Sequence, residues 1–266
     1  MYDNLNYDCV RLIFEHFIVP RLVVLRPTSR MTCQVIEDIL KAKKTLFIFE
    51  GPLDSFRFSN IARSYQLPSE NDIYLKSKFI YANTISISKV LKLSHLFPKV
   101  KTAVIDVQDL DAVNSLLKMW FFTLEDLTLI GKAPCDEKSA AFWKMIQVLP
   151  ALKRLLLFDY TLDPHNTSSL VNSIPKGMNF ENLEKFAVTG HIFSPRKVVF
   201  RFNFDHLPEQ LEILLSATTH VFIQDITDIV LIEGHCHYLE NEVLAKTLAH
   251  ARSLQYLDFS STASVR

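Results

Sequence analysis

Glycine is scarce in this chain, with 5 in 266 residues. Neither GxGxxG nor GxxxxGK[ST] occurs, so the loops by which a backbone cradles nucleotide phosphates are missing. An excess of one charge is missing too. Lys and Arg number 29, and so do Asp and Glu. No global basic field draws in nucleic acid or anionic lipid, and neither is expected as a partner. The four cysteines, Cys9, Cys33, Cys135 and Cys236, lie far apart with no CxxC. They read as reduced thiols of an intracellular protein, cytoplasmic or nuclear. Long apolar runs are also absent. The best candidate, residues 9–25, is interrupted by Arg11, Glu15, His16, Pro20 and Arg21. That excludes a span and argues against a secretory core, so the mature chain is expected to begin near Met1.

Catalytic constellations are equally hard to find. His235, Cys236 and His237 read as a turn after the strand at Ile226; on a strand the two imidazoles would share one side, but no further ligand stands at a metal-binding spacing. Cys135 beside Asp136 has no His–Asp arrangement to make it a nucleophile. The chain is read as non-catalytic, with no metal or cofactor.

Apolar side chains, by contrast, make up 48% of the chain. They begin early, in "LNYDCVRLIFEHF", Leu5 to Phe17. Asp8 is placed to cap a helix in which Val10, Phe14 and Phe17 form one stripe, joined by Ile13. Cys9, Leu12 and His16 form a second, partly apolar side. Only Arg11 and Glu15 are clear solvent residues, spaced to pair. A helix of this kind buries two sides. Pro20 opens a second short element, "RLVVL". Thr28 or Ser29 caps a third, whose apolar face is Met31, Val35, Ile36, Ile39 and Leu40. Lys41, Lys43 and Lys44 crowd its carboxyl end, where the helix dipole favours cations.

These residues resemble an F-box. Leu5, Asp8, Ile13, Phe14, Phe17, Leu22, Leu25, Ser29 and Arg30 stand in the family's order over about 40 residues, with Asn6 at the usual proline and Thr32 near the usual tryptophan. The resemblance implies docking on the Skp adaptor of an SCF (Skp–cullin–F-box) ubiquitin ligase. Leu5, Asp8, Ile13, Phe14, Phe17, Leu22 and Leu25 would make that contact. The alternative is a helical cap on the domain that follows.

The remainder repeats itself. "LEDLTL" starts at Leu124, "LKRLLL" at Leu152, "LEKFAV" at Leu183, "LEILLS" at Leu211 and "LQYLDF" at Leu254, with weaker copies at Ala82, Val100 and Ile226. The intervals are 18, 24, 28, 31, 28, 15 and 28 residues. "KVVFRFNF", Lys197 to Phe204, is a further candidate strand. Helical segments intervene: Leu110, Val113, Leu117 and Trp120 share one face, as do Phe142, Met145, Ile146 and Leu149. Asp163 opens another segment, and Val243 to Ala251 forms the last. Trp120 and Trp143 read as core. One strand–helix unit cannot bury its own apolar residues, but stacked units share a core. The pattern resembles irregular leucine-rich repeats of about 28 residues. An ordinary layered α/β fold is the alternative.

The expected fold is therefore α/β: a three-helix module over residues 1–45, a linker or first edge strand over 46–78, and a repeat solenoid with a parallel sheet on its concave face over 79–266. No polar unit follows "SSTASVR", so a solenoid without a carboxyl-terminal cap, or a partial one, is expected. Beside the buried leucines, Asp126 and Thr128, Arg154 and Leu156, Lys185 and Ala187, Tyr256 and Asp258 form a mixed row suited to a protein surface. If both resemblances hold, the chain is a substrate receptor, with the Skp adaptor and cullin as partners at one end and a substrate protein on the row. A protein-binding scaffold with no ligase connection is the other reading.

Overall fold

Asn6 starts the first helix. Its side chain accepts a hydrogen bond from Cys9 N at 2.9 Å, capping α1, Tyr7–Glu15. Asp8, expected as the cap, is the second residue of the helix, where its charge complements the helix dipole. The structure, a computed structural model, describes residues 6–50, 80–131, 137–158, 170, 173–175, 178, 180, 182–188, 191–193, 197–201, 228–232 and 256–258. The chain is mixed α/β, and it divides into two units, Met1–Glu125 and Asp126–Arg266. The expected boundary at residue 45 falls inside the first unit.

In that unit, Pro20 sits in the first turn of α2, Val19–Leu25, where its missing N–H costs nothing. A single 3₁₀ turn, Arg26–Thr28, leads to α3, Arg30–Lys41. Ser29 caps α3, its side chain accepting from Thr32 N at 3.1 Å. The buried face of α3 is Thr32, Val35, Ile36, Ile39 and Leu40, and α1 and α2 both pack on this helix.

Strand β1, Thr45–Ile48, follows; β2 is Thr84–Ile85 and β3 is Thr102–Val107. β1 pairs in parallel with both, Phe47 opposite Thr84 and Thr45 opposite Thr102. It therefore lies between them and is not the edge strand expected from the sequence. Leu46, Phe47 and Ile48 are all buried, and a strand apolar on both faces belongs inside a sheet. α4, Ile87–Lys92, packs on α5, Leu110–Met119. Glu50, just past β1, caps α4 from a distance: its Oε1 accepts from Ile87 N at 2.8 Å. Asp109 caps α5, accepting from Asp111 N at 2.9 Å. Trp120 is fully buried, and its indole N–H donates to the Phe97 carbonyl at 2.9 Å.

The second unit opens with β4, Asp126–Gly131, then α6, Glu137–Gln147, and β5, Arg154–Phe158. Phe142, Trp143 and Ile146 are buried on α6, while Met145, expected beside them, is half-buried. The remaining strands are β6, Lys185–Val188; β7, His191–Phe193; β8, Lys197–Arg201; β9, Asp228–Ile232; and β10, Tyr256–Asp258. Spatial order follows chain order from β4 to β10. β4, β5 and β6 run parallel, as do β8, β9 and β10. β7 is antiparallel to both of its neighbours. The strand motifs at Leu124, Leu152, Leu183, Ile226 and Leu254, and the candidate at Lys197, all fall on these strands. The motif at Leu211, the helical segments from Asp163 and from Val243, and residues His235 to His237 and Cys135 lie outside the described residues.

Candidate docking face and strand row

At 100° per residue, Val10, Phe14 and Phe17 fall on one side of the α1 axis and Cys9, Leu12 and His16 on the other, with Ile13 at the border between them. The structure treats the two sides differently. Val10 is 2% exposed and Phe14 7%, and the Phe14 ring meets Phe17 edge-on at 5.2 Å. Leu12 is 63% exposed and Ile13 43%, with Cys9 and His16 exposed beside them. Arg11 and Glu15 close one flank with a 2.8 Å ion pair. Ile18, ahead of α2, and Val24, on it, are exposed as well.

This corrects part of the expected contact set. Phe14 and Leu22 are buried in the unit's own core, so neither is available to a partner. Both belong to the stripes that hold α1 and α2 in place. Ile13 stands at the edge of the α1 stripe, about 60° from Val10 on the side away from Phe14, and is left 43% exposed. Phe17 and Leu25 are half-buried, and Asp8 is exposed. Leu5 lies outside the described residues. Leu12, Ile18 and Val24, all exposed, are absent from the expected set, although the second apolar side of α1 is legible from Leu12.

Polar bonds fix the helices. The Tyr7 hydroxyl donates to the Asp38 carboxylate, tying α1 to α3. That bond, more than burial or the carboxylate's charge, pushes the Tyr7 phenol up. Arg26 donates to Glu37, which also accepts from Lys41 Nζ at 3.4 Å. The Arg26 hydrogen bond is the main cause that holds the Glu37 carboxyl below its ordinary value. Val19 N donates to Asn83 Oδ1 at 3.4 Å, joining α2 to the segment before β2.

The strand row lies in the second unit. Asp126, Arg154 and Lys185 are register partners across β4, β5 and β6, as are Thr128, Leu156 and Ala187. The Arg154 guanidinium grips both carboxylate oxygens of Asp126. Lys153 reaches Glu184 at 3.2 Å. Of the row, Arg154 is exposed, while Asp126, Leu156 and Lys185 are half-buried. Thr128 and Ala187, each 7% exposed, are covered, which removes them from the expected contact surface. The next residues on the same face explain why. Ile130 and Phe158 are large and apolar, both are buried, and a face that carries them needs cover. Tyr256 and Asp258 lie on β10, opposite Asp228 and Val230.

Among the described residues, no group of three His, Cys, Asp or Glu side chains could hold a metal ion, and no helix is long and apolar enough to cross a membrane. No protein-family model matches the chain, and no curated protein matches it.

Proposed function

We propose that this chain is a non-catalytic adaptor that docks one protein on α1 and holds another with its second unit, as an F-box protein with leucine-rich repeats does. The carrying observation is the division of labour on α1. Val10 and Phe14 satisfy the chain's own core, and Leu12 and Ile13 remain exposed. The Skp adaptor of an SCF ligase is the partner that the F-box resemblance implies, with cullin behind it. Leu12 and Ile13 at the centre, with Ile18 and Val24, replace Phe14 and Leu22 as the contact residues. The repeat reading is supported by parallel strands in chain order whose register partners Asp126 and Arg154 stand 28 residues apart. Asp228 and Tyr256 repeat that spacing. The antiparallel β7 interrupts it. A bound substrate would gain effective concentration near the ligase's active centre, which needs no chemistry from this chain. Substituting Leu12 and Ile13 by Asp and recovering the protein from cells tests the docking: the adaptor is lost and the fold is kept.

A second reading has its own observation. α2 and α3 pack on elements that follow them, α2 on β2 and α3 on the turn at Ser94–Leu96. The helices then serve as a built-in part of the α/β unit, in a scaffold with no ligase connection. Deleting residues 1–45 separates the two. A docking module comes away and leaves a cooperative melt, whereas an integral part takes the unit's cooperativity with it.

A further inference from the structure

Lysines from two separate segments meet at the amino-terminal ends of β1 and β3. Lys43 and Lys44 lead into β1, and Lys99 and Lys101 lead into β3. The Lys44 carbonyl accepts from Lys101 N at 2.8 Å and from Thr102 N at 2.9 Å, which sets the two segments side by side. Lys44, Lys99 and Lys101 are exposed, and Lys43 is half-buried. Two neighbouring lysines have carboxylate partners: Lys41 has Glu37, which it shares with Arg26, and Lys101 has Glu125. Among the described residues, no carboxylate pairs with Lys43, Lys44 or Lys99.

The carboxyl end of α3 gives Lys43 and Lys44 a local reason to be there, since the Asp38, Ile39 and Leu40 carbonyls gather at the cap. Lys99 has no such reason. It arrives from beyond the Ser94–Leu96 turn, which packs on α3 and exposes His95. Lys43, Lys44 and Lys99, with no carboxylate partner among the described residues, repel one another, in a chain whose overall charge is balanced. A complementary surface would relieve that repulsion and speed encounter.

We propose that this corner is a docking site for an acidic segment of a partner protein, with Lys43, Lys44 and Lys99 as the contacting cations. Protein is favoured over nucleic acid because so few cations make a corner and no basic stripe. The site is independent of whatever α1 docks.

The test uses the full chain and a fluorescently labelled hepta-glutamate peptide, read by anisotropy. Wild type binds, and binding weakens as salt rises. Lys44→Glu with Lys99→Glu lowers affinity about tenfold or more, while Lys118→Glu, exposed on α5, leaves it within about twofold. Lys44→Gln with Lys99→Gln supplies the same reading if the double reversal melts at lower temperature. No binding by wild type, an equal loss with Lys118→Glu, or tighter lysine-dependent binding of a single-stranded RNA overturns the proposal.

Discussion

Leu12 and Phe14 stand two residues apart on α1 and face opposite ways: Leu12 is 63% exposed and Phe14 7%. The pair separates what α1 does for its own unit from what it offers outside. Truncating Phe14 removes a buried ring and leaves a cavity, so Phe14→Ala should cost about 3–5 kcal/mol. Leu12→Asp and Ile13→Asp remove exposed groups and should each stay within about 0.5 kcal/mol of wild type. Urea unfolding checks both, and comparable losses at all three positions would refute the division.

The Tyr7–Asp38 bond makes stability depend on alkaline pH. The folded Tyr7 pKa lies above its ordinary 10.0. Its contribution is therefore complete below that value and disappears as pH rises through the higher folded one. Tyr7→Phe should cost about 0.5–1.5 kcal/mol at neutral pH and should melt with less decline above pH 10.0 than wild type. Thermal melts across that range make the comparison, and parallel curves would contradict the bond.

Glu37 works in the acid direction. Its folded pKa lies below 4.5, chiefly through Arg26. The contribution is whole above 4.5 and fades as pH falls through the lower folded value. Glu37→Gln should flatten that acid limb, because the turn at Arg26–Thr28 then loses its charged tie to α3. An unchanged acid limb would show that the tie carries no stability.

Trp143 Nε1 donates to Ser173 Oγ at 2.9 Å, and Ser173 in turn donates to the Leu170 carbonyl at 2.8 Å. All three residues are buried. Ser173→Ala strands an indole N–H in the core and should cost about 1–3 kcal/mol. In a Trp143→Phe background the same change should cost less, since the orphaned donor is gone. Equal costs in both backgrounds would mean that the bond is not formed.

The described strands of the second unit are legible in the sequence because each carries a local apolar pattern. Leu127, Leu129, Leu155 and Leu157 alternate with their neighbours and are fully buried, as period-two spacing requires. What the spacing could not show is non-local. The place of β1 between β2 and β3 depends on pairing with Thr84, far along the chain. The covered second face was visible only by reading past Thr128 to Ile130 and Phe158. On α1 the stripe was legible, but the assignment of Phe14 to the partner followed the F-box resemblance, and burial assigns it to the core. Asn6 departs from that family's proline, yet it is the residue that caps the helix.

The most direct measurement is recovery of the protein from cells beside its Leu12→Asp/Ile13→Asp variant, with melts of both. Equal melting temperatures are expected, with the Skp adaptor and cullin accompanying wild type alone. Absence of the adaptor from wild type, or its retention by a folded variant, would contradict the claim that α1 presents a docking face.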